Sequence, residues 1–264
     1  MPGDAVQDNL PLGFQNVGPC RLAFRKRPAL QAQPIKPGIV WLGGFKSDML
    51  STKAARLDEF AAAEGRSCLR FDYSGHGESE GRFEEGTISR WTQESLAMIR
   101  AQTQGPQILV GSSMGGWIAL LAARAMGAQE AAERLAGLVL IAPAVDFTES
   151  LMWAQMPPAI RQEIETKGVW LRESAYSPEP TPITRALIED GRRNLMFDST
   201  IDAHAPVHIL QGMQDPDVPW SHAMKLVEHL AGDCVTLSLI KDGDHRLSRE
   251  EDIQALITAV ANIA

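Results

Sequence analysis

Short apolar runs rich in Val, Ile and Leu alternate along the chain with stretches whose apolar positions recur every three or four residues. That alternation predicts a mainly parallel central sheet buried on both faces by helices. The expected strands are Gly38 to Leu42, Cys68 to Phe71, Ile108 to Val110, Leu138 to Ile141, Val207 to Gln211 and Val235 to Ile240, with Arg21 to Phe24 as an edge strand. Thr52 to Glu64 carries Leu57, Phe60 and Ala61 on one face and meets Gly65 as a stop, which predicts a helix. A second stripe, Ile88, Trp91, Ser95 and Met98, begins after Thr87. The last helix is expected to open on a capping box, Ser248 to Glu251, ahead of Ile253, Leu256, Ile257 and Val260.

The alternation stops between Asp146 and His204, where no strand is evident and Pro157, Pro158, Pro180 and Pro182 interrupt the chain. The expected organisation is therefore a core of residues 1–145 and 205–264, with residues 146–204 inserted as a helical cap. Met152, Met156, Ile160 and Ile164 fall at helical spacing, and Trp153, Trp170, Met196 and Phe197 add large apolar groups. The simpler reading is that these side chains hold the cap on the core. The functional reading makes Trp153, Met156 and Trp170 the lining of an acyl pocket.

Composition narrows the classes. A chain of 264 residues can bury a substantial core as one domain with an insertion. A net charge of −8, with no basic run longer than Arg25 to Arg27, disfavours nucleic acid and anionic membrane surfaces as partners. Cys20, Cys68 and Cys234 are far apart and form no zinc-type cluster, so they read as thiols in a reducing compartment. Met1 to Phe14 lacks the basic and apolar pattern of a targeting segment, and no apolar stretch reaches the ~20 residues that span a bilayer. A cytoplasmic protein without membrane insertion is the expectation.

The most informative stretch is Gln107-Ile-Leu-Val-Gly-Ser-Ser-Met-Gly-Gly116, in which a strand runs into Gly-x-Ser-x-Gly and then into a helical pattern. This is the pattern of a nucleophile elbow. Its turn is too sharp for bulky side chains two residues either side of the nucleophile. Ser113 is flanked at those positions by Gly111 and Gly115, whereas Ser112 is flanked by Val110 and Met114, so Ser113 is the candidate nucleophile. A serine needs a base, and the base needs an acid to orient it. Asp215 follows the strand ending at Gln211 and is the favoured acid, with Asp217 and Asp146 as competitors. His245 lies beyond the last strand and is the favoured base. The other histidines fail on position, although His76 sits on a loop expected at the pocket rim. The backbone N–H groups of Met114 and Phe45 are the candidate oxyanion donors, the latter on the glycine-bearing loop after the first central strand. No metal or cofactor is called for.

These motifs resemble the α/β-hydrolase superfamily, and Phe71-Asp-Tyr-Ser-Gly-His-Gly-Glu-Ser79 resembles its Asp-x-x-Gly-x-Gly-x-Ser loop. More narrowly, the segments Phe71 to Gly75, Pro106 to Ser113, Gly115 to Trp117, Lys167 to Trp170, Gly212-Met213 with Val218 to Trp220, and Asp244 to Arg246 resemble the mitochondrial palmitoyl-protein thioesterase and acyl-glucuronide esterase branch. The resemblance implies hydrolysis of thioesters or esters, with a small-molecule or acylated-protein substrate, and the triad Ser113, Asp215 and His245. The chain departs from that branch at its N-terminus and in the loop Trp41 to Phe45, which lacks residues of the Pro-Gly-Tyr type. A C–C bond hydrolase, another small-ester hydrolase and a slow-turnover ligand sensor share the same pattern. An aspartate-nucleophile enzyme is disfavoured by Ser113. Acyl length, leaving group and oligomeric state are not encoded in any motif.

Overall fold

The computed structural model describes residues 10–30, 36–173, 179–232 and 234–263. The first nine residues of the segment read for a targeting signal lie outside these. An eight-stranded sheet forms the centre. Its strands are β1 (Leu12–Val17), β2 (Cys20–Arg27), β3 (Gly38–Leu42), β4 (Cys68–Phe71), β5 (Gln107–Ser112), β6 (Leu135–Ile141), β9 (Val207–Gly212) and β10 (Val235–Ile240), in the spatial order β1-β2-β4-β3-β5-β6-β9-β10. From β4 to β10 all pairings are parallel, whereas β2 runs antiparallel to both β4 and β1.

Alternate side chains of the central strands serve two cores, as the period of a strand dictates. Ile39, Trp41, Ile108, Val110, Val139 and Ile141 face α1 (Thr52–Ala63) and α7 (Glu250–Ala261). Val40, Leu42, Leu109, Leu138 and Leu140 belong to the larger core, with α2 (Ile88–Gln102), α3 (Met114–Arg134) and α6 (Trp220–His229). Thr87 caps α2 by accepting from the Arg90 N–H at 3.3 Å. The predicted cap of α7 is corrected. Its N-cap is Arg249, whose backbone N–H donates to Asp252 Oδ2 at 3.1 Å, while Ser248 turns back to the Arg246 carbonyl.

Two expectations about strands also change. Arg21 to Phe24 lies within β2, an inner strand, and the edge is β1, joined to it by a hairpin turn at Gly18. Between β6 and β9 the chain leaves the sheet, and the segment expected to be helical is not purely so. It holds α4 (Pro158–Lys167), α5 (Arg185–Arg193) and an antiparallel pair, β7 (Val169–Arg172) with β8 (Thr181–Thr184). Four-residue strands, one containing Pro182, leave too short an alternation to read. Among the described residues no helix is long and apolar enough to cross a membrane.

Candidate active site

The triad and oxyanion candidates all follow the C-terminal ends of parallel strands: Phe45 after β3, Ser113 and Met114 after β5, Asp215 after β9 and His245 after β10. The order reverses around β3, because the chain passes from β3 to β4 on one side and to β5 on the other. Open parallel sheets carry their ligand crevices at such a switch point. The loop after β3 (residues 43–50) and the elbow after β5 flank it.

Ser113 has φ 54° and ψ −117°, a conformation that costs an L-residue of the order of 1–3 kcal/mol. Its neighbours hold it there. The Ser113 N–H donates to the Ile141 carbonyl at 2.8 Å, and its own carbonyl accepts from Gly116 at 2.9 Å and Ala144 at 3.1 Å. The glycine argument has a direct steric basis: a Cβ on Gly111 would lie 2.3 Å from the Gly115 carbonyl oxygen, and one on Gly115 would lie 2.0 Å from that of Leu42.

His245 Nε2 stands 3.2 Å from Ser113 Oγ, and His245 Nδ1 stands 2.8 Å from Asp215 Oδ2. A carboxylate only accepts, so Nδ1 carries the hydrogen and Nε2 offers its lone pair to the serine hydroxyl. The Asp215 side chain is fully buried. Burial pushes its carboxyl up, but the hydrogen bond and charge of His245, with N–H donors from Val218 and Asp217, bring it below the usual carboxylate range. Gln211 sits beneath this loop, its Nε2 donating to Val218 O at 2.9 Å, Gly212 O at 3.0 Å and Asp215 Oδ2 at 3.3 Å. Nothing in the sequence distinguishes this glutamine from any other strand-end residue.

The competitors are placed differently from Asp215. Asp217 is exposed, and Asp146 accepts from Met196 at 2.9 Å and Phe197 at 3.0 Å. Asp215, Asp217 and His245 are the one group among the described residues whose potential ligand atoms lie within 4.8 Å of one another, close enough to gather a metal ion.

Met114 opens α3, and the first N–H groups of a helix lack an intrahelical acceptor. Phe45 lies in a turn closed by the Ser47 N–H on the Gly44 carbonyl at 3.1 Å. A Cβ on Gly44 would lie 3.5 Å from Ser113 Cβ, so this loop passes directly over the serine. The pocket candidates lie elsewhere. Met156 is buried with Ile164, Ile183 and Ile188 inside the insertion, and Trp153 and Trp170 pack against that cluster. Phe45 packs against it too and also belongs to the rim of the main core. Two surface clefts of about 220 and 150 Å³ meet at Arg124, and neither is lined by Ser113, Asp215 or His245.

A family model described as the alpha/beta hydrolase family matches residues 38–259. The mitochondrial palmitoyl-protein thioesterase ABHD10 of Homo sapiens is 36% identical over 249 residues, covering 92% of this chain and 79% of the relative. Among solved structures, one from Agrobacterium vitis S4 assigned as a hydrolase superposes with a TM-score of 0.90 at 46% identity, covering 96% of this chain and 99% of that one. The mouse alpha/beta hydrolase domain-containing protein 10 superposes with a TM-score of 0.84 at 33% identity, covering 96% and 98%. The expectation of a cytoplasmic protein is overturned by these comparisons, since the curated relatives are named as mitochondrial.

Proposed function

Since this chain belongs to the alpha/beta hydrolase family and is a hydrolase, we propose that it cleaves thioester or carboxylic ester bonds through an acyl-enzyme on Ser113. The observation that carries the reading is the unbroken relay from Asp215 through His245 to Ser113, at 2.8 and 3.2 Å, on a serine held at positive φ. Ser113 Oγ attacks the acyl carbonyl carbon while His245 Nε2 takes its proton. The resulting oxyanion is met by the N–H groups of Met114 and Phe45. As the tetrahedral intermediate collapses, His245 returns the proton to the departing thiolate or alkoxide. Water then attacks the acyl-enzyme by the same route and frees the carboxylic acid. Side chains, backbone and water account for every proton in this cycle.

The inclusion of thioesters among the proposed substrates is supported by the thioesterase relatives at 36% identity. In our reading the insertion of residues 146–204 is a cap that shelters the acyl chain. Two contacts support this: Phe45 packs on the apolar cluster of the insertion, and Lys46 Nζ reaches the Pro180 carbonyl at 3.4 Å. The test is a panel of acyl-coenzyme A, S-acyl peptide, acyl glucuronide and p-nitrophenyl ester, assayed with wild type and Ser113→Ala. The variant is expected to fold and to lose at least about 1,000-fold in kcat, with no fluorophosphonate label. Turnover within tenfold of wild type in that variant would remove the acyl-enzyme.

A further inference from the structure

His76 belongs to none of the steps above, yet it is buried to 4% exposure beneath the loop that carries Phe45. Its Nε2 lies 3.2 Å from the backbone nitrogen of Lys46, and its Nδ1 lies 3.2 Å from the Ser74 carbonyl oxygen. An amide N–H can only donate and a carbonyl can only accept. The ring is thereby fixed as the neutral tautomer, with the hydrogen on Nδ1 and the lone pair of Nε2 aimed at Lys46. Burial acts in the same direction, lowering the imidazole to about 4, although the Ser74 bond and the Asp48 charge favour the cation.

Lys46 has φ 58°, an uncommon conformation for a residue with a side chain. Its N–H belongs to the peptide that joins it to Phe45, so the hydrogen bond to His76 fixes the orientation of Phe45 from one side. The side chains of the same two residues share one aromatic cage: Phe83 lies 4.9 Å from Phe45 and 5.1 Å from His76, and Trp91 lies 6.0 and 5.1 Å from them. The geometry points to His76 as a positioning residue that holds the Phe45 N–H where the oxyanion forms, by keeping Lys46 in its strained turn. The inference rests on the acyl-transfer reading and adds a residue to it.

The variant His76→Phe keeps the ring cage and removes the acceptor, whereas His76→Gln restores an oxygen at nearly the reach of Nε2. Two kinetic readouts are compared. One is kcat and KM on a p-nitrophenyl ester, and the other is affinity for an alkylboronic acid, which forms a tetrahedral adduct on the serine. His76→Phe is expected to lose ~10- to 100-fold in both kcat and boronate affinity, with KM within about threefold, and His76→Gln to recover most of both. Unchanged boronate affinity in a folded His76→Phe enzyme overturns the inference. In wild type, nitrogen NMR of the His76 ring between pH 5 and 8 is expected to give a bare Nε2 and a protonated Nδ1; the reverse tautomer overturns the inference without any variant. The two readings fail separately. Persistent turnover in Ser113→Ala ends acyl transfer whatever residue 76 is. A His76→Phe enzyme that still takes the fluorophosphonate label and keeps full kcat ends this inference alone.

Discussion

At the scale of single residues, the acid is the position at which chemistry and burial must agree. Asp215 and Asp217 are two positions apart, and both lie near His245. What separates them is solvent: the Asp215 carboxylate is buried and receives four hydrogen bonds, from His245, Gln211, Asp217 and Val218, while Asp217 is exposed. A carboxylate held by fixed donors orients an imidazole, whereas a solvated one is screened. Asp215→Asn is therefore expected to lower kcat by about 10⁴-fold, because an amide can stabilise the wrong histidine tautomer. Asp217→Asn should change kcat less than threefold, and steady-state kinetics on one ester decides between them. Chain order and strand ends pick out Asp215 in the sequence as the proposed acid, as glycine spacing picks out Ser113 as the proposed nucleophile. Gln211 was not legible, because its importance comes from being enclosed under the acid loop rather than from any motif.

At the scale of elements, the loop after β4 (residues 72–79) serves the loop after β3 (residues 43–50). Asp72 Oδ1 accepts from the Met49 N–H at 2.7 Å and Oδ2 from the Glu78 N–H at 2.9 Å, so it joins the two loops at a point separate from the His76 contact. Burial raises the Asp72 carboxyl to about 6 even though these donors favour its charge. In the unfolded chain an Asp titrates near 3.9. Between about 4 and 6 the folded protein thus keeps a proton that the unfolded chain has released. Stability falls as pH rises through that window, by on the order of 3 kcal/mol from this group alone. Asp72→Asn should flatten the pH dependence of the urea midpoint between pH 4 and 6, at the cost of one of its two acceptors. An unaltered slope would mean that Asp72 is ionised in the fold throughout. The sheet interior was readable because β3 and the Leu138–Ile141 part of β6 are uninterrupted apolar runs, and the far edge β10 because its apolar positions alternate. The edge strand β1 was not, because Gly13 and Asn16 weaken its alternation and only pairing with β2 organises it.

At the scale of the whole molecule, the question is how the insertion stays in register with the core while leaving and rejoining it. Both of its ends converge on Asp146, a buried residue at φ 56° just past β6. Its carbonyl accepts from the N–H groups of Glu149 and Ser150, at 3.1 and 2.9 Å, where the insertion begins. Its carboxylate accepts from Met196 and Phe197, where the insertion ends. The returning segment is held further by the Phe197 ring against His222, whose Nε2–H donates to the Val145 carbonyl at 2.8 Å, and by Lys225 Nζ, 4.4 Å above that ring. Closing the excursion at one carboxylate means that a substitution there loosens the exit without touching the serine relay. Asp146→Ala strands two backbone donors, Met196 and Phe197, which is expected to cost about 2–4 kcal/mol in denaturant unfolding. Hydrogen exchange should speed up at residues 185–200 while the amides of β3 and β5 keep their protection, because the sheet pairs are not involved. Ser113 should still take a fluorophosphonate label at the wild-type rate. Equal loss of protection in β3 and β5 would instead mean that the insertion and the sheet open as one unit, and that Asp146 supports the core rather than the junction.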